Sequence, residues 1–341
     1  MLYYYKSFPH SGRNKGSSMH IKKGCTALIE IQELTKRYAA LTAVDRLSVS
    51  IHDGLIYGFL GANGAGKSTT LGMITGCLAP SSGNIQINGH DLFTEPREAK
   101  RAIGYLPETP PLYPEMSVFE YLRFIARARG IAKSAQREAI EEAMRKTNVA
   151  AVRNRLIQQL SKGYRQRVGL AQAILGEPEI IILDEPTVGL DPAQVVETRE
   201  LIRSLGGQHI VIFSSHILSE VSLLCDRVLI IDHGRLLCED TPENLEHRLD
   251  NGEVLEITVL DPKGQAKTVI EAVNGVGQVE TTPNPEGAGN LLAVHMASGS
   301  DLREAVAVAL ANAGIAVLGM QARQHSLEDA FIRLTQEAGI R

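Results

Sequence analysis

Eight consecutive residues of the sequence have the types and spacing needed to bind a chain of phosphates. They are GANGAGKS, from Gly61 to Ser68, and they match the pattern G-x-x-x-x-G-K-[ST]. Glycines let backbone N–H groups turn inward toward phosphate oxygens, and Lys67 supplies a positive charge for the β- and γ-phosphates. The Ser68 hydroxyl suits Mg²⁺, and a helix beginning here directs its positive end at the anion. The residues expected to contact the nucleotide are Gly61, Asn63, Gly64, Ala65, Gly66, Lys67, Ser68 and Thr69.

Two acids at the end of an apolar run complement this loop. The run is EIIILDEP, bounded by Pro178 and Pro186, and it is typical of a strand covered on both faces. At the end of that strand, Asp184 can hold the metal directly or through a water molecule. Glu185 would then lie beside the γ-phosphate, where a carboxylate can take a proton from an attacking water. The alternative is a pair of solvated acids, but the phosphate loop favours a catalytic pair.

A proline-rich segment separates these two motifs. It is YLPETPPLYPEMS, from Tyr105 to Ser117, and it holds four of the chain's 14 prolines together with the acid Glu108. Each proline ring removes an N–H donor and restricts the preceding residue, which excludes a helix or a central strand here. The segment therefore predicts a stiff loop that carries one carboxylate close to its start.

A third motif decides among the phosphate-binding families. It is LSKGYRQRVGLAQAIL, from Leu160 to Leu175, and it lies just before the apolar run that ends at Asp184. With this motif, the region from about Leu28 to Leu249 resembles the ATP-binding subunit of ABC transporters. The signature of that family is usually LSGGQ; here it is LSKGY, so that Lys162 and Tyr164 replace the usual Gly and Gln.

Further segments resemble motifs of the same family, in the family's order. TKRYAA places Tyr38 where the family has an aromatic residue that stacks on adenine. The proline loop places Glu108 at the position of the Q-loop glutamine, which reaches the Mg²⁺ and water. A carboxylate is a stronger ligand for Mg²⁺ than an amide. TVGLDP resembles the D-loop and contains Asp191, and SSHILSE resembles the switch region and contains His216.

The resemblance implies a fold and a mechanism. The fold class is α/β, a P-loop NTPase core of the ABC ATPase type with a helical subdomain at about residues 115–175. Two copies would pair head to tail, so that each ATP lies between Lys67 of one chain and Ser161 and Gly163 of the other. His216 would contact the γ-phosphate and the attacking water. Hydrolysis would remove the shared anion and separate the two chains.

The remaining segments predict secondary structure and a domain boundary. SAQREAIEEAMRKTN predicts a helix starting at Ser134, DRVLIIDHGRLLCED predicts a hairpin turning at His233-Gly234, and TPENLEHRL predicts a helix capped by Thr241. The boundary is expected at LDNGE, so that residues 26–249 form the ABC domain. Residues 250–341 show the order βαββαβ, which predicts a small α+β domain of the ferredoxin-like type.

The two ends of the chain differ in character. Residues 1–25 are basic and polar and lack the apolar stretch of a secretory signal, which predicts a disordered tail; Met19 is an alternative start to Met1. The C-terminal unit is acidic, and its last segment, SLEDAFIRLTQ, is similar to the extension of drug- and polysaccharide-export ATPases of the ABC-2 type. IGYLPE also occurs in that branch and in its gliding-motility-like relatives. The resemblance implies export driven through a separate membrane-spanning permease.

Composition narrows the location and the partners. The chain has 341 residues, a net charge of −4 and no Trp, which argues against nucleic acid as a partner. No apolar run approaches the roughly 18 residues that span a bilayer. The four cysteines lie far apart, which favours a reducing compartment. Together with these features, the resemblance implies a cytoplasmic protein, peripheral on the inner face of a bacterial membrane.

Two questions stay open at this level. From Tyr121 to Arg167 there are 12 basic and 3 acidic residues, which indicates either a surface for anionic lipid or an acidic partner, or solvated helix faces with local pairs. The second question is the class of ABC protein. A soluble ABC ATPase acting on ribosomes or DNA is the alternative, and it usually has two ABC units, a long coiled coil or a zinc module. The sequence shows none of these.

Overall fold

A computed structural model describes residues 28–39, 41–52, 54–247, 254–261, 263–284, 287–296, 302–323 and 327–339. The expected tail at 1–25, with its choice between Met1 and Met19, lies outside those residues. Among the helices within them, none combines the length and the apolar character needed to cross a membrane. The strands of the first two sheets are β1 (Ile29–Tyr38), β2 (Leu41–Ile51), β3 (Ile56–Leu60), β4 (Ser82–Ile87), β5 (His90–Asp91), β6 (Ile103–Leu106), β7 (Ile180–Asp184), β8 (Ile210–Ser215), β9 (Arg227–Asp232) and β10 (Arg235–Asp240).

The first sheet is antiparallel and has the strand order β2-β1-β4-β5. Its strands alternate between buried and more exposed residues, as expected of a sheet with one covered face. Ile29 of β1 is fully buried and pairs with Ile51 of β2 and Ile87 of β4. The face of this sheet that packs on the core therefore carries Ile29, Ile51 and Ile87.

The second sheet is mainly parallel and has the order β10-β9-β3-β8-β7-β6. Every residue of β7 and β8 is buried, and β7 is the strand that the run EIIILDEP predicts to be covered on both faces. Because β3, β7 and β8 run in the same direction, their carboxyl ends lie at one edge of the sheet. The phosphate loop, Asp184 and His216 follow those three ends and are therefore brought together.

The predicted hairpin at the edge of this sheet is confirmed. Strands β9 and β10 pair antiparallel, with Arg235 opposite Asp232. His233 and Gly234 form the turn, and both have positive φ angles, of 45° and 77°. Positive φ at both central residues is the geometry that matches the twist of a two-residue hairpin.

Helices cover the parallel sheet and form the expected helical subdomain. They are α1 (Lys67–Ile74), α2 (Pro96–Arg101), α3 (Val118–Ala128), α4 (Gln136–Lys146), α5 (Lys162–Ile174), α6 (Pro192–Leu205), α7 (Leu218–Leu224) and α8 (Pro242–His247). Helix α3 begins with a capping box, in which Ser117 and Glu120 each bond the other's backbone N–H. The Thr241 cap of α8 is also confirmed, since its hydroxyl accepts from the Asn244 N–H at 3.1 Å.

The expected start of α4 at Ser134 is wrong. The helix begins at Gln136 after a tight turn, in which the N–H groups of Ala135 and Gln136 both bond the Ala132 carbonyl. The Gln136 side chain also donates to the Ile131 carbonyl, at 2.8 Å. These local bonds satisfy the turn, so no serine cap is formed.

Part of the positive charge between Tyr121 and Arg167 is paired locally. Arg137 and Arg145 bond acids on α4 itself, and Arg167 bonds Glu197 of α6 at 2.9 Å. Arg129 instead points inward, and its guanidinium donates to the carbonyls of Leu175 and Ile103. Local pairing therefore accounts for part of the basic stretch.

The C-terminal unit contains β11 (Val254–Leu260), α9 (Ala266–Glu271), β12 (Val276–Pro283), β13 (Asn290–Met296), α10 (Arg303–Asn312), β14 (Ala316–Arg323) and α11 (Leu327–Gly339). The predicted order βαββαβ is confirmed, and the helix expected from SLEDAFIRLTQ follows it as α11. The four strands form an antiparallel sheet of order β12-β13-β11-β14, the arrangement of a ferredoxin-like fold. This unit has its own hydrophobic cluster, which includes Leu255, Ile257 and Leu310.

Helix α11 packs against the first unit. Leu327 is almost fully buried in the same cluster as Leu245 and Val221, and α11 contacts α7, α8 and β10. Phe331 and Leu334 extend the same contact. The division near residue 250 stays a prediction. The last helix follows the C-terminal unit in the sequence but packs against the first unit.

Candidate active site

The phosphate loop connects β3 to α1 and has the backbone that its glycines predict. Gly64 and Gly66 have φ angles of 82° and 105°, which L-residues rarely adopt. At Gly66 a Cβ atom would also lie 2.5 Å from the Ala43 carbonyl oxygen. Gly66 therefore allows both the turn and the close approach of β2. Helix α1 begins at the next residue, Lys67.

The Lys67 ammonium is held inside the site by oxygen atoms. Lys67 is only 6% exposed, and its Nζ donates to the carbonyls of Gly61 at 2.7 Å and Ala62 at 3.3 Å. The carboxylate of Glu185 lies 3.6 Å from the same nitrogen. A buried ammonium needs such partners, and their geometry fixes a positive charge beside the loop. A phosphate oxygen would offer that charge a stronger partner than a carbonyl.

Asp184 binds two hydroxyl groups from different elements. Its Oδ1 accepts from Ser68 Oγ at 3.1 Å and from Ser214 Oγ at 2.6 Å. The phosphate loop and the ends of β7 and β8 are thereby joined at one carboxylate oxygen. Burial, together with the nearby charge of Asp184, raises the pKa of the Tyr105 hydroxyl well above its usual range. Tyr105 is therefore neutral at physiological pH beside Asp184.

Glu185 has a strained backbone and two charged or polar neighbours. Its φ is 48°, in the left-handed region that non-glycine residues seldom occupy. Its N–H donates to Ser214 Oγ at 2.8 Å, which fixes this conformation. Its Oε2 accepts from His216 Nδ1 at 2.9 Å, while Oε1 faces Lys67. In a neutral ring this bond leaves the lone pair of His216 on Nε2.

These side chains face a cavity of about 610 Å³. Of the residues expected at the nucleotide, those that line it are Tyr38, Asn63, Gly64, Gly66, Lys67, Ser68, Thr69, Glu108, Glu185 and His216. Tyr38 is 45% exposed at the mouth, where a flat ring can stack on a base. Gly61, Ala65 and Asp184 are not among the lining residues; Ala65 and Asp184 are buried, and Gly61 contributes its carbonyl to Lys67.

The signature residues are near one another but do not line this cavity. Ser161 caps α5 and accepts from the Tyr164 N–H at 3.3 Å, and Asp191 caps α6 and accepts from the Gln194 N–H at 2.9 Å. Gly163 lies directly against Gln194, where a Cβ would be only 2.0 Å from Gln194 Oε1. The structure thus brings the signature and the D-loop together, apart from the phosphate loop of the same chain.

Sequence reasoning missed three polar residues that support the site. Ser214 bonds both Asp184 and Glu185, and Gln166 of α5 donates to the Pro186 carbonyl at 3.4 Å. Glu220 of α7 is buried and hydrogen-bonded. The two serines that end an apolar strand were a usable signal for Ser214. The other two depend on contacts between distant segments.

Comparison with known proteins agrees with this geometry. The family model described as ABC transporter matches residues 44–188. The bacitracin transport ATP-binding protein BcrA of Bacillus licheniformis is 37% identical over 311 residues, which are 91% of this chain and 97% of that protein. The chain belongs to the ABC transporter family. The linearmycin resistance ATP-binding protein LnrL of Bacillus subtilis is 31% identical over 90% of this chain and 98% of its own length.

Solved structures of ABC ATPases share the fold. The structure of an ATP-binding subunit of an ABC transporter is 31% identical, with a TM-score of 0.61, and covers 65% of this chain and 93% of its own. A dimeric, post-hydrolysis ATP-binding cassette bound to ADP and Pi shows the same fold at 22% identity and a TM-score of 0.58. The predicted P-loop NTPase core of the ABC ATPase type is confirmed, and this ABC protein is an ATP-binding and ATP-hydrolysing subunit.

Proposed function

We propose that this ABC subunit powers an exporter, as one of two identical ATPases bound to a separate permease on the cytoplasmic face of a bacterial membrane. ATPases of this family dimerise and pair with transmembrane components. One observation carries the catalytic part of the proposal: Lys67, Glu185 and His216 meet in one cavity at the ends of three parallel strands.

The chemistry is hydrolysis of the γ-phosphate. Lys67 provides the positive charge for the β- and γ-phosphates, and Tyr38 provides a ring for adenine. Glu185 takes the proton of the water that attacks phosphorus, and ADP is the leaving group. His216 orients Glu185 through its Nδ1 bond and presents Nε2 toward the γ-phosphate side. The 2.9 Å contact between His216 and Glu185 supports this division of roles.

The donor set also fits Mg²⁺. Ser68 Oγ and Asp184 Oδ1 lie 3.1 Å apart, and Glu108 lines the same cavity as Ser68, so that three segments supply hard oxygen donors. Bound there, Mg²⁺ would neutralise charge on the phosphate oxygens. Ser68, Asp184 and Glu108 are the ligands that this chain offers.

The location of the signature supports head-to-tail pairing. Ser161 and Gly163 do not line the cavity that holds Lys67, and Ser161 is exposed at the N-terminus of α5. The first N–H groups of a helix attract an anion. A second chain could therefore bring its α5 to the γ-phosphate from outside. Each ATP would then contact the phosphate loop of one chain and the signature of the other. Lys162 and Tyr164 alter the signature, yet the Ser and Gly that would contact phosphate remain.

Export is favoured by the relatives. Proteins that match nearly the whole chain include BcrA, LnrL and the daunorubicin resistance protein DrrA3 of Streptomyces coeruleorubidus, at 30% identity over 90% of the chain. Their names refer to bacitracin transport, linearmycin resistance and daunorubicin resistance. Because the similarity extends through the C-terminal unit, it covers more than the common ATPase core.

Affinity purification from the native organism tests the proposal. The tagged chain should co-purify with a polytopic membrane protein in mild detergent, and it should sediment with membranes until a high-salt or carbonate wash releases it. The Lys67→Ala variant is the matched control, because it should keep the permease while losing ATP binding. Recovery with ribosomes, and without a membrane protein, would favour the soluble ABC ATPase instead.

A further inference from the structure

A buried acid outside the cavity connects the two segments that carry Glu185 and His216. This acid is Glu220 of α7, which is only 1% exposed. A carboxylate so fully removed from water is costly unless it is paired and hydrogen-bonded. The nucleotide cavity is not lined by Glu220, so substrate contact does not explain its position.

Three side chains from three different elements bond this carboxylate. Thr187 Oγ1 donates to its Oε2 at 2.9 Å, and Ser215 Oγ donates to the same oxygen at 3.0 Å. Arg199 Nη2 of α6 donates to Oε1 at 3.1 Å, which balances the charge. One carboxylate thus joins the segment after β7, the end of β8, and helices α6 and α7.

The Thr187 bond acts on the backbone of Glu185. Thr187 lies two residues after Glu185, in a turn where the Val188 N–H bonds the Glu185 carbonyl at 3.2 Å. Glu185 itself is in the left-handed region, a conformation that persists only when its surroundings fix it. The bond from Thr187 to the buried Glu220 carboxylate therefore fixes the turn that follows Glu185.

The Ser215 bond acts on the backbone around His216. The Ser215 hydroxyl donates to Glu220 and also accepts from the Ile217 N–H at 3.0 Å. It therefore fixes the residues on both sides of His216. The His216 side chain is 43% exposed and bonded to Glu185, so its position depends largely on this backbone anchor.

We propose that Glu220 is a positioning residue for ATP hydrolysis, which aligns Glu185 and His216 through Thr187 and Ser215. This inference rests on the proposed roles of Glu185 and His216. Glu220 does not touch the nucleotide; it fixes the relative position of two groups that must meet one water molecule and one phosphate. A displacement of about 1 Å in such a pair can cost on the order of 100-fold in rate.

The test compares kcat, KM, ATP affinity and melting temperature among variants. Glu220→Gln keeps the size but removes the charge that Arg199 balances, and Thr187→Val removes only a hydroxyl. Both variants should lower kcat by about 10- to 100-fold, with KM and ATP affinity within about threefold of wild type. Thr187→Ser is the matched control, because it restores the hydroxyl and should restore kcat.

A second comparison separates positioning from general stability. In a Glu185→Gln background, Thr187→Val should cause no further loss of turnover, since the group that it positions is already changed. Two results would overturn the inference: a wild-type kcat in folded Thr187→Val and Glu220→Gln, or an equal loss in ATP affinity. If instead Glu185→Gln alone kept full turnover, the proposed base and this inference would both be wrong.

Discussion

His216 Nδ1 lies 2.9 Å from Glu185 Oε2, and this bond joins the ends of two adjacent parallel strands. Lys67 follows a third strand, and its Nζ lies 3.6 Å from the other carboxylate oxygen, Glu185 Oε1. Glu185 therefore sits between a fixed positive charge and an imidazole. A carboxylate in that position is well placed to accept a proton within the cavity, and the first two predictions concern Glu185 and Lys67.

Replacement of Glu185 by Gln should lower ATP turnover by about 10²–10⁴-fold, the range for loss of a general base. ATP binding should persist, because the amide keeps the size of the side chain and Lys67 is unchanged. Phosphate release and calorimetric ATP affinity measure the two quantities separately. Hydrolysis near the wild-type rate would refute the assignment of Glu185 as the base.

Replacement of Lys67 by Ala should weaken ATP binding by about 10- to 100-fold or more, since hydrogen bonds to a charged group contribute about 1.5–3 kcal/mol. Titration calorimetry measures the affinity directly. Lys100→Ala is the control, because that ammonium is exposed and bonds the Gly76 carbonyl just after the C-terminus of α1. Equal affinity in both variants would exclude the phosphate-loop interpretation.

Replacement of Glu108 by Gln should raise the Mg²⁺ concentration that gives half-maximal ATP hydrolysis. The physical reason is that an amide oxygen is a weaker ligand for Mg²⁺ than a carboxylate. Glu115→Gln changes an exposed acid of the same proline loop, outside the residues that line the cavity, and should leave this concentration unchanged. If Glu108→Gln behaves like Glu115→Gln, the acid has no role toward the metal.

Replacement of Gly104 by Ala should destabilise the protein by about 3 kcal/mol, the upper part of the range for overpacking. Its Cβ would lie 1.9 Å from the Ala173 carbonyl oxygen, so β6 and α5 would have to separate. Gly72→Ala is the matched control, since its Cβ would approach only Leu78, at 3.7 Å, and alanine favours the helix. Urea denaturation measures both free energies of unfolding, and equal values would contradict the packing of α5 on β6.

The pair formed by Asp45 and Arg235 predicts a pH dependence of stability. Arg235 donates two hydrogen bonds to the Asp45 carboxylate, at 2.8 and 2.6 Å, and these bonds hold its pKa below the ordinary value. A carboxyl with a lowered folded-state pKa stabilises the fold above its unfolded pKa, and the contribution is lost as pH falls through the folded value. Asp45→Asn should therefore be less stable than wild type at neutral pH.

The difference between the two proteins should shrink on acidification. Urea denaturation at about pH 7, 5 and 3 brackets the unfolded carboxyl pKa of about 3.9. Glu98→Gln, which changes an exposed acid of α2, provides a control for general charge effects. A difference that stays constant across this range would show that the pair does not act through charge.

The sequence predicted those parts of the site that depend on local pattern. The glycine spacing predicted the loop around Lys67, and an apolar run predicted the buried strand that ends at Asp184. The meeting of these two motifs then follows from parallel strands whose carboxyl ends share one edge. The predicted start of α4 was wrong because hydrogen bonds of a local turn replaced the expected Ser134 cap.

Contacts between distant segments could not be predicted in this way. The bonds of Glu220 need α6, α7 and two strand ends in their final positions, and each of its partners is an ordinary polar residue in the sequence. In the same way, the sequence of α11 does not reveal which surface of the first unit its apolar residues cover. A single sequence can indicate which residues are buried, but the residues that cover them are known only from the folded structure.

The burial of Leu327 beside Leu245 has a consequence for synthesis of the chain. About 80 residues separate the two, and ribosomes add roughly 5–20 residues per second. Leu327 is therefore synthesised about 4–16 seconds after Leu245, and until then α11 cannot cover the first unit. During that time α7, which carries Glu220, has an uncovered apolar side. A pause or a premature stop of translation in the C-terminal unit therefore leaves this side of α7 exposed to chaperones and proteases.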